Sequence, residues 1–113
     1  MKPVVLLIGK LPHVIGDVAS QLDHLPIHWL GAHDKAEVLR QLETEPRIAC
    51  VIMGAGLDDQ TRGDLIGIIA ARRPDVCIHL KDRASGSEGL VPFVERVVRM
   101  QLLSPPQHMA VAV

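Results

Sequence analysis

The sequence predicts an α/β fold of three layers, with a parallel sheet covered by helices on both faces. Three observations predict it. Short apolar, β-branched runs alternate with segments of helical periodicity, strand then helix, four times along the chain. The runs Val4–Ile8 and Ile48–Met53 are apolar throughout, as strands buried on both faces must be. The 113 residues suit one domain of common size, and 48% of them are apolar, enough for a true core. Strands separated by helices pair in parallel through right-handed crossovers, which place helices on both faces.

Each element has a local reason. Val4–Ile8 is the first strand, and Gly9, Lys10 and Pro12 end it. After Pro12, Val14, Val18 and Leu22 recur every fourth residue with Ile15 and Ala19 beside them, giving one helix with a single apolar stripe. Residues 27–30 form a second strand. Asp34 followed by Glu37 has the spacing of a capping box, Val38, Leu39 and Leu42 face the core, and Pro46 follows the helix end. Ile48–Met53 is the third strand, and Gly54, Ala55 and Gly56 form a tight loop. Asp58 or Asp59 caps the next helix, which runs to Arg72 with Leu65, Ile66, Ile69 and Ala70 inward. Arg73, Pro74 and Asp75 turn the chain into a fourth strand at residues 76–80. A polar loop, 81–88, leads to a last helix over residues 90–103, stopped by Ser104, Pro105 and Pro106. Residues 1–103 are therefore expected to form a single domain, and residues 104–113 a mobile tail.

Composition narrows function. One Phe, one Trp and no Tyr leave no aromatic platform for stacking bases or sugars. A net charge of −1 gives no basic footprint, so no nucleic-acid partner is expected. The pair Arg72 and Arg73 is explained by complementarity to a helix dipole. Cys50 and Cys77 each lie inside an apolar run and are expected to be buried free thiols, since no CxxC spacing exists and two cysteines cannot complete a zinc set. The apolar run at the start is too short for a signal peptide or a membrane span, so the expectation is a cytoplasmic protein with no membrane contact.

Local wording narrows the fold further. Val5, Leu6, Leu7 and Ile8 followed by Gly9, Lys10, Leu11 and Pro12 resemble the opening of a response-regulator receiver domain. Residues 48–58 resemble the third receiver strand and its exit loop, and Ala71, Arg72, Arg73, Pro74, Asp75 and Val76 resemble the turn into strand four. Gly89, Leu90, Val91, Pro92 and Phe93 are similar to the family's Lys-Pro-Phe corner. The resemblance spans nearly the whole chain. It implies a flavodoxin/receiver-like fold with a parallel sheet of four strands, or five if residues 89–91 close the edge.

The family's chemistry-bearing positions are where this chain departs. The two acids that hold magnesium after strand one correspond to Lys10 and Leu11, or to Gly9 and Lys10 in the neighbouring register. Gly54 stands in the place of the phosphoacceptor aspartate. The family's Thr or Ser after strand four falls at Lys81 or Asp82, and Val91 replaces the corner lysine. A divalent cation needs oxygen ligands, which an ammonium opposes, and glycine offers no carboxylate nucleophile. The resemblance thus implies a degenerate receiver, a pseudo-receiver, with its fourth helix and fifth strand reduced or lost.

The leading expectation is a non-enzymatic module for protein interaction or dimerisation in signalling, with no metal, no cofactor and no aspartyl phosphotransfer. A homodimer is expected, with a signalling protein as a further partner. Candidate interface residues are Ile78 on the fourth strand and Phe93, Val97 and Met100, a second stripe of the last helix exposed on the same side. The alternative is a small-molecule or anion sensor using Gly9, Lys10, Gly54, Gly56 and Asp82 at the carboxyl edge of the sheet. No G-x-G-x-x-G or Walker pattern follows the first strand. An enzyme or phosphocarrier would need His13, Asp58 or a cysteine, yet helix capping explains Asp58 and neither thiol lies at a helix N-terminus.

Overall fold

Val4–Ile8 forms β1, with every residue buried, because both of its neighbours and both sheet faces are occupied. The computed structural model describes residues 1–103; the expected tail, 104–113, lies outside the described residues. The other strands are β2 (His28–Ala32), β3 (Ile48–Met53) and β4 (Cys77–Leu80). Their order is β2-β1-β3-β4, all parallel, so the expected fifth-strand option at residues 89–91 is not taken among the described residues. That segment lies instead at a 3₁₀ turn, Ser87–Gly89, and at the start of a helix.

The helices are α1 (Pro12–Gln21), α2 (Lys35–Thr44), α3 (Asp59–Arg72) and α4 (Leu90–Val98), the last continuing as a π turn over Arg99–Leu103. Strand alternation divides the core. Val4, Leu6, Ile8, Val51 and Met53 face α2 and α3, where Val38, Leu42, Leu65 and Ile69 meet them. Val5, Leu7, Cys50 and Ile52 face α1 and α4, packing on Val18, Leu22, Val94 and Val98. Three layers result. Among the described residues, no helix is long and apolar enough to cross a membrane.

Helix starts follow the sequence logic. Asp34 caps α2 by accepting from the Glu37 N–H at 2.8 Å, and Glu37 reaches back to accept from the His33 N–H at 2.8 Å. Asp58, rather than Asp59, caps α3 by accepting from the Thr61 N–H at 2.7 Å.

Several expectations are corrected. Val97 is not on an exposed stripe: it is 7% exposed and packs inward with Val94 and Val98, the i, i+3, i+4 set that one helix face presents to the sheet. Phe93 packs half-buried on the same cluster, and Met100, 64% exposed, is the one member of the stripe that faces solvent freely. Ile78 packs on the α2/α3 cluster, the opposite sheet face from α4, so it shares no surface with them. Ala70 is exposed, and Arg62 takes an inward position of α3. Cys50 is buried as expected, but Cys77 is exposed because β4 is an edge strand.

Candidate functional site

Strand order reverses between β1 and β3, since β1 leads to β2 on one side and pairs with β3 on the other. At such a switch point the loops leaving the strands diverge and open a crevice at the carboxyl edge. Two backbone bonds fix its rim. Gly9 N–H donates to Ala32 O at 3.1 Å, and Gly54 N–H donates to Ile8 O at 2.8 Å. Gly54 lies against the β1 exit: a Cβ there would make ordinary contact with Ile8 O at 3.6 Å and Gly9 Cα at 3.9 Å. The two loops also meet at Gly56 and Lys10, where a Cβ on Gly56 would sit 3.6 Å from the Lys10 Cβ.

The crevice continues as a cleft of about 570 Å³ between α1 and α4 over the β1 and β3 ends. Its deeper wall is aliphatic, with Leu7, Ile52, Val14, Val18, Leu90 and Val94. Lys10, Lys81 and Arg83 also line it, and no Asp or Glu does.

Lys81 follows β4 directly and is 2% exposed. Its N–H extends the ladder to Met53 O at 2.9 Å. Its ammonium donates to Asp82 O at 2.6 Å and to Ser85 Oγ, and lies 3.5 Å from Asp82 Oδ1. Asp82 in turn accepts from the Ser85 N–H at 2.9 Å and from the Ser85 hydroxyl at 3.0 Å. These Ser85 bonds, foremost the backbone one, hold the Asp82 carboxyl below the usual range, with Lys81 adding to them. Two glycines permit this knot. Gly86 has φ +72°, and a Cβ on Gly89 would fall 2.6 Å from Ser85 Oγ.

Arg62 locks the other wall. Its guanidinium donates to Gly54 O at 2.8 Å and to Lys81 O at 2.6 Å, joining the ends of β3 and β4. Burial, and then Arg83, push its pKa down. Arg83 pairs with Asp59 at 2.9 Å and donates to Leu57 O at 2.8 Å. The Thr61 N–H holds the Asp58 carboxyl below its ordinary value, with smaller help from Lys10 and Arg83. Every acid near this edge is therefore engaged: Asp58 as a helix cap, Asp59 with Arg83, Asp82 with Lys81 and Ser85.

Of the expected ligand-binding residues, the structure brings Gly9, Lys10, Gly54 and Gly56 together on the cleft. Asp82 does not line it; its carboxylate serves Ser85 and Lys81. Sequence reasoning missed Arg62 and the burial of Lys81. A signal existed for each: Arg62 falls three and seven residues before Leu65 and Ile69 on their stripe, and Lys81 has Asp82 and Ser85 at one and four residues. His33, Asp34 and Glu37 also cluster, and they are engaged in starting α2, with His33 Nδ1 2.6 Å from Glu37 Oε1. Burial pushes the Cys50 thiol up to about 12, so it is no nucleophile at neutral pH.

No known family model matches the sequence, and no curated protein matches it. Solved structures do. A response regulator from Thermotoga maritima superposes with a TM-score of 0.62 at 16% identity, covering 87% of this chain and 98% of that one. The fold is receiver-like. A de novo designed protein with a Rossmann 2x3 fold superposes with a TM-score of 0.56 at 15% identity, covering 96% of this chain and 99% of that one. A designed neighbour with no evolved function underlines that this likeness concerns architecture. At this edge Lys10, Gly54 and Lys81 follow β1, β3 and β4, with Asp58, Asp59 and Asp82 in the loops around them.

Proposed function

We propose that this chain is a non-enzymatic, receiver-like signalling module that has no aspartyl phosphotransfer and acts by association with a partner. The fold likeness to a response regulator gives the reading its signalling direction. One observation carries the rest. The exits of β1, β3 and β4 hold Lys10, Gly54 and Lys81, and Arg62 clamps the carbonyls of the latter two. A magnesium ion placed among these groups would meet an ammonium and a guanidinium instead of oxygen anions. A phosphoryl donor would find no free carboxylate to attack it.

Incubation with acetyl phosphate and magnesium tests the reading by intact mass. The mass is expected to stay unchanged. Stoichiometric gain of one phosphoryl group, lost in Asp58→Asn or Asp59→Asn, would show a relocated acceptor and overturn it.

A further inference from the structure

We propose that the cleft between α1 and α4 binds a small amphipathic monoanion, an unbranched aliphatic carboxylate, independently of how the sheet edge is used. The carboxylate meets Lys10 at the mouth, and the chain lies along Leu7, Val14, Ile52 and Val94.

Three observations point to this class. The volume, about 570 Å³, falls within the range of small-molecule sites, and the position is the strand-order switch point. The charge is one-sided: three cations line the cleft and no acid does. Lys81 and Arg83 already have partners, whereas Lys10 makes no hydrogen bond or ion pair with the described residues and acts on Asp58 only as a nearby charge, so its ammonium is the one available for direct contact with a ligand.

The wall decides between anions. It carries no aromatic ring, so a nucleobase would find nothing to stack on. Inorganic phosphate would leave the aliphatic wall uncovered. A flexible methylene chain ending in a carboxylate matches both halves.

Titration calorimetry with decanoate, decanol, inorganic phosphate and decyltrimethylammonium tests the proposal. Decanoate is expected to bind saturably at one site, with affinity rising by up to about fourfold per methylene from hexanoate onward. Lys10→Gln is expected to weaken decanoate about tenfold without changing the melting temperature, since Lys10 is exposed and unbonded. Val14→Phe, which fills the cleft from its half-buried flank, is expected to abolish binding while the circular dichroism stays native. Equal affinity for decanol, tighter binding of phosphate or of the ammonium surfactant, or no saturable heat with decanoate would each overturn the proposal.

Discussion

Arg62 stands inside α3 and is 8% exposed, yet its charge is not neutralised by an acid. Two carbonyls satisfy it instead, Gly54 O and Lys81 O, on loops that leave different strands. A planar guanidinium can serve both at once because its donors are held in a fixed fork, whereas an ammonium is a point charge on a flexible stem. Arg62→Met removes the donors and leaves two buried carbonyls unpaired. It is expected to lower stability by about 2–4 kcal/mol in urea unfolding, with Arg62→Lys recovering less than half of the loss. A loss below about 0.5 kcal/mol, the size of an ordinary surface substitution, would show that water replaces the clamp. The role was hard to read in the sequence for a physical reason. An arginine argues for solvent, and its partners lie 8 and 19 residues away, so only the tertiary fold reveals what satisfies it. Asp34 and Asp58 were legible because their partners are three residues along the same chain.

At the scale of elements, α1 rests on β2 through a glycine. A Cβ on Gly31 would come within 2.6 Å of Ile15 Cγ2, so the helix sits closer than any side chain on that strand position permits. Ile15 is β-branched and has few rotamers with which to yield. Gly31→Ala is expected to cost about 1–3 kcal/mol by overpacking. Ile15→Ala in the same chain removes the opposing methyl, so the double variant should lose less than the sum of the two single losses. Additive losses in thermal or urea unfolding would refute the steric account. The same strand shows where local reading stops. Residues 27–30 carry the β-forming side chains, yet β2 runs His28–Ala32, because pairing with β1 sets it: Val4 faces His28 and Ile8 faces Ala32. Gly31 and Ala32 have little intrinsic strand preference, and the ladder supplies it. The last helix differs likewise. Its continuous periodicity suggests one helix over residues 90–103, but the chain relaxes into a π turn at Arg99–Leu103 after the inward set of Val94, Val97 and Val98 is used.

For the whole molecule, the open question is what covers the β4 edge. Among the described residues the sheet ends at its fourth strand, whose outer row of backbone groups has no strand partner there and can be extended by another chain. Both β2 and β4 are edges, but they are not alike. Leu80 on β4 is 42% exposed, and β2 carries no large exposed apolar side chain. Since Lys81 N–H points inward to Met53 O, alternation along the strand turns the N–H groups of Ile78 and Leu80 outward. Two such edges related by a two-fold axis pair antiparallel, and each copy offers the other the same donors and acceptors. We therefore predict a symmetric dimer joined through β4, independent of the α4 stripe that the packing of Val97 removes. Light scattering after size exclusion should give twice the chain mass at micromolar concentration. Leu80→Pro removes an outward N–H without touching the inward ladder, and Leu80→Lys adds charge to the edge; both should give folded monomers. A short bifunctional maleimide adds a second readout, because Cys77 is exposed on β4 while Cys50 is buried and protonated. It should link the wild-type dimer and leave Leu80→Lys unlinked. A wild-type monomer, or a dimer indifferent to both substitutions, would place the association elsewhere and refute edge pairing.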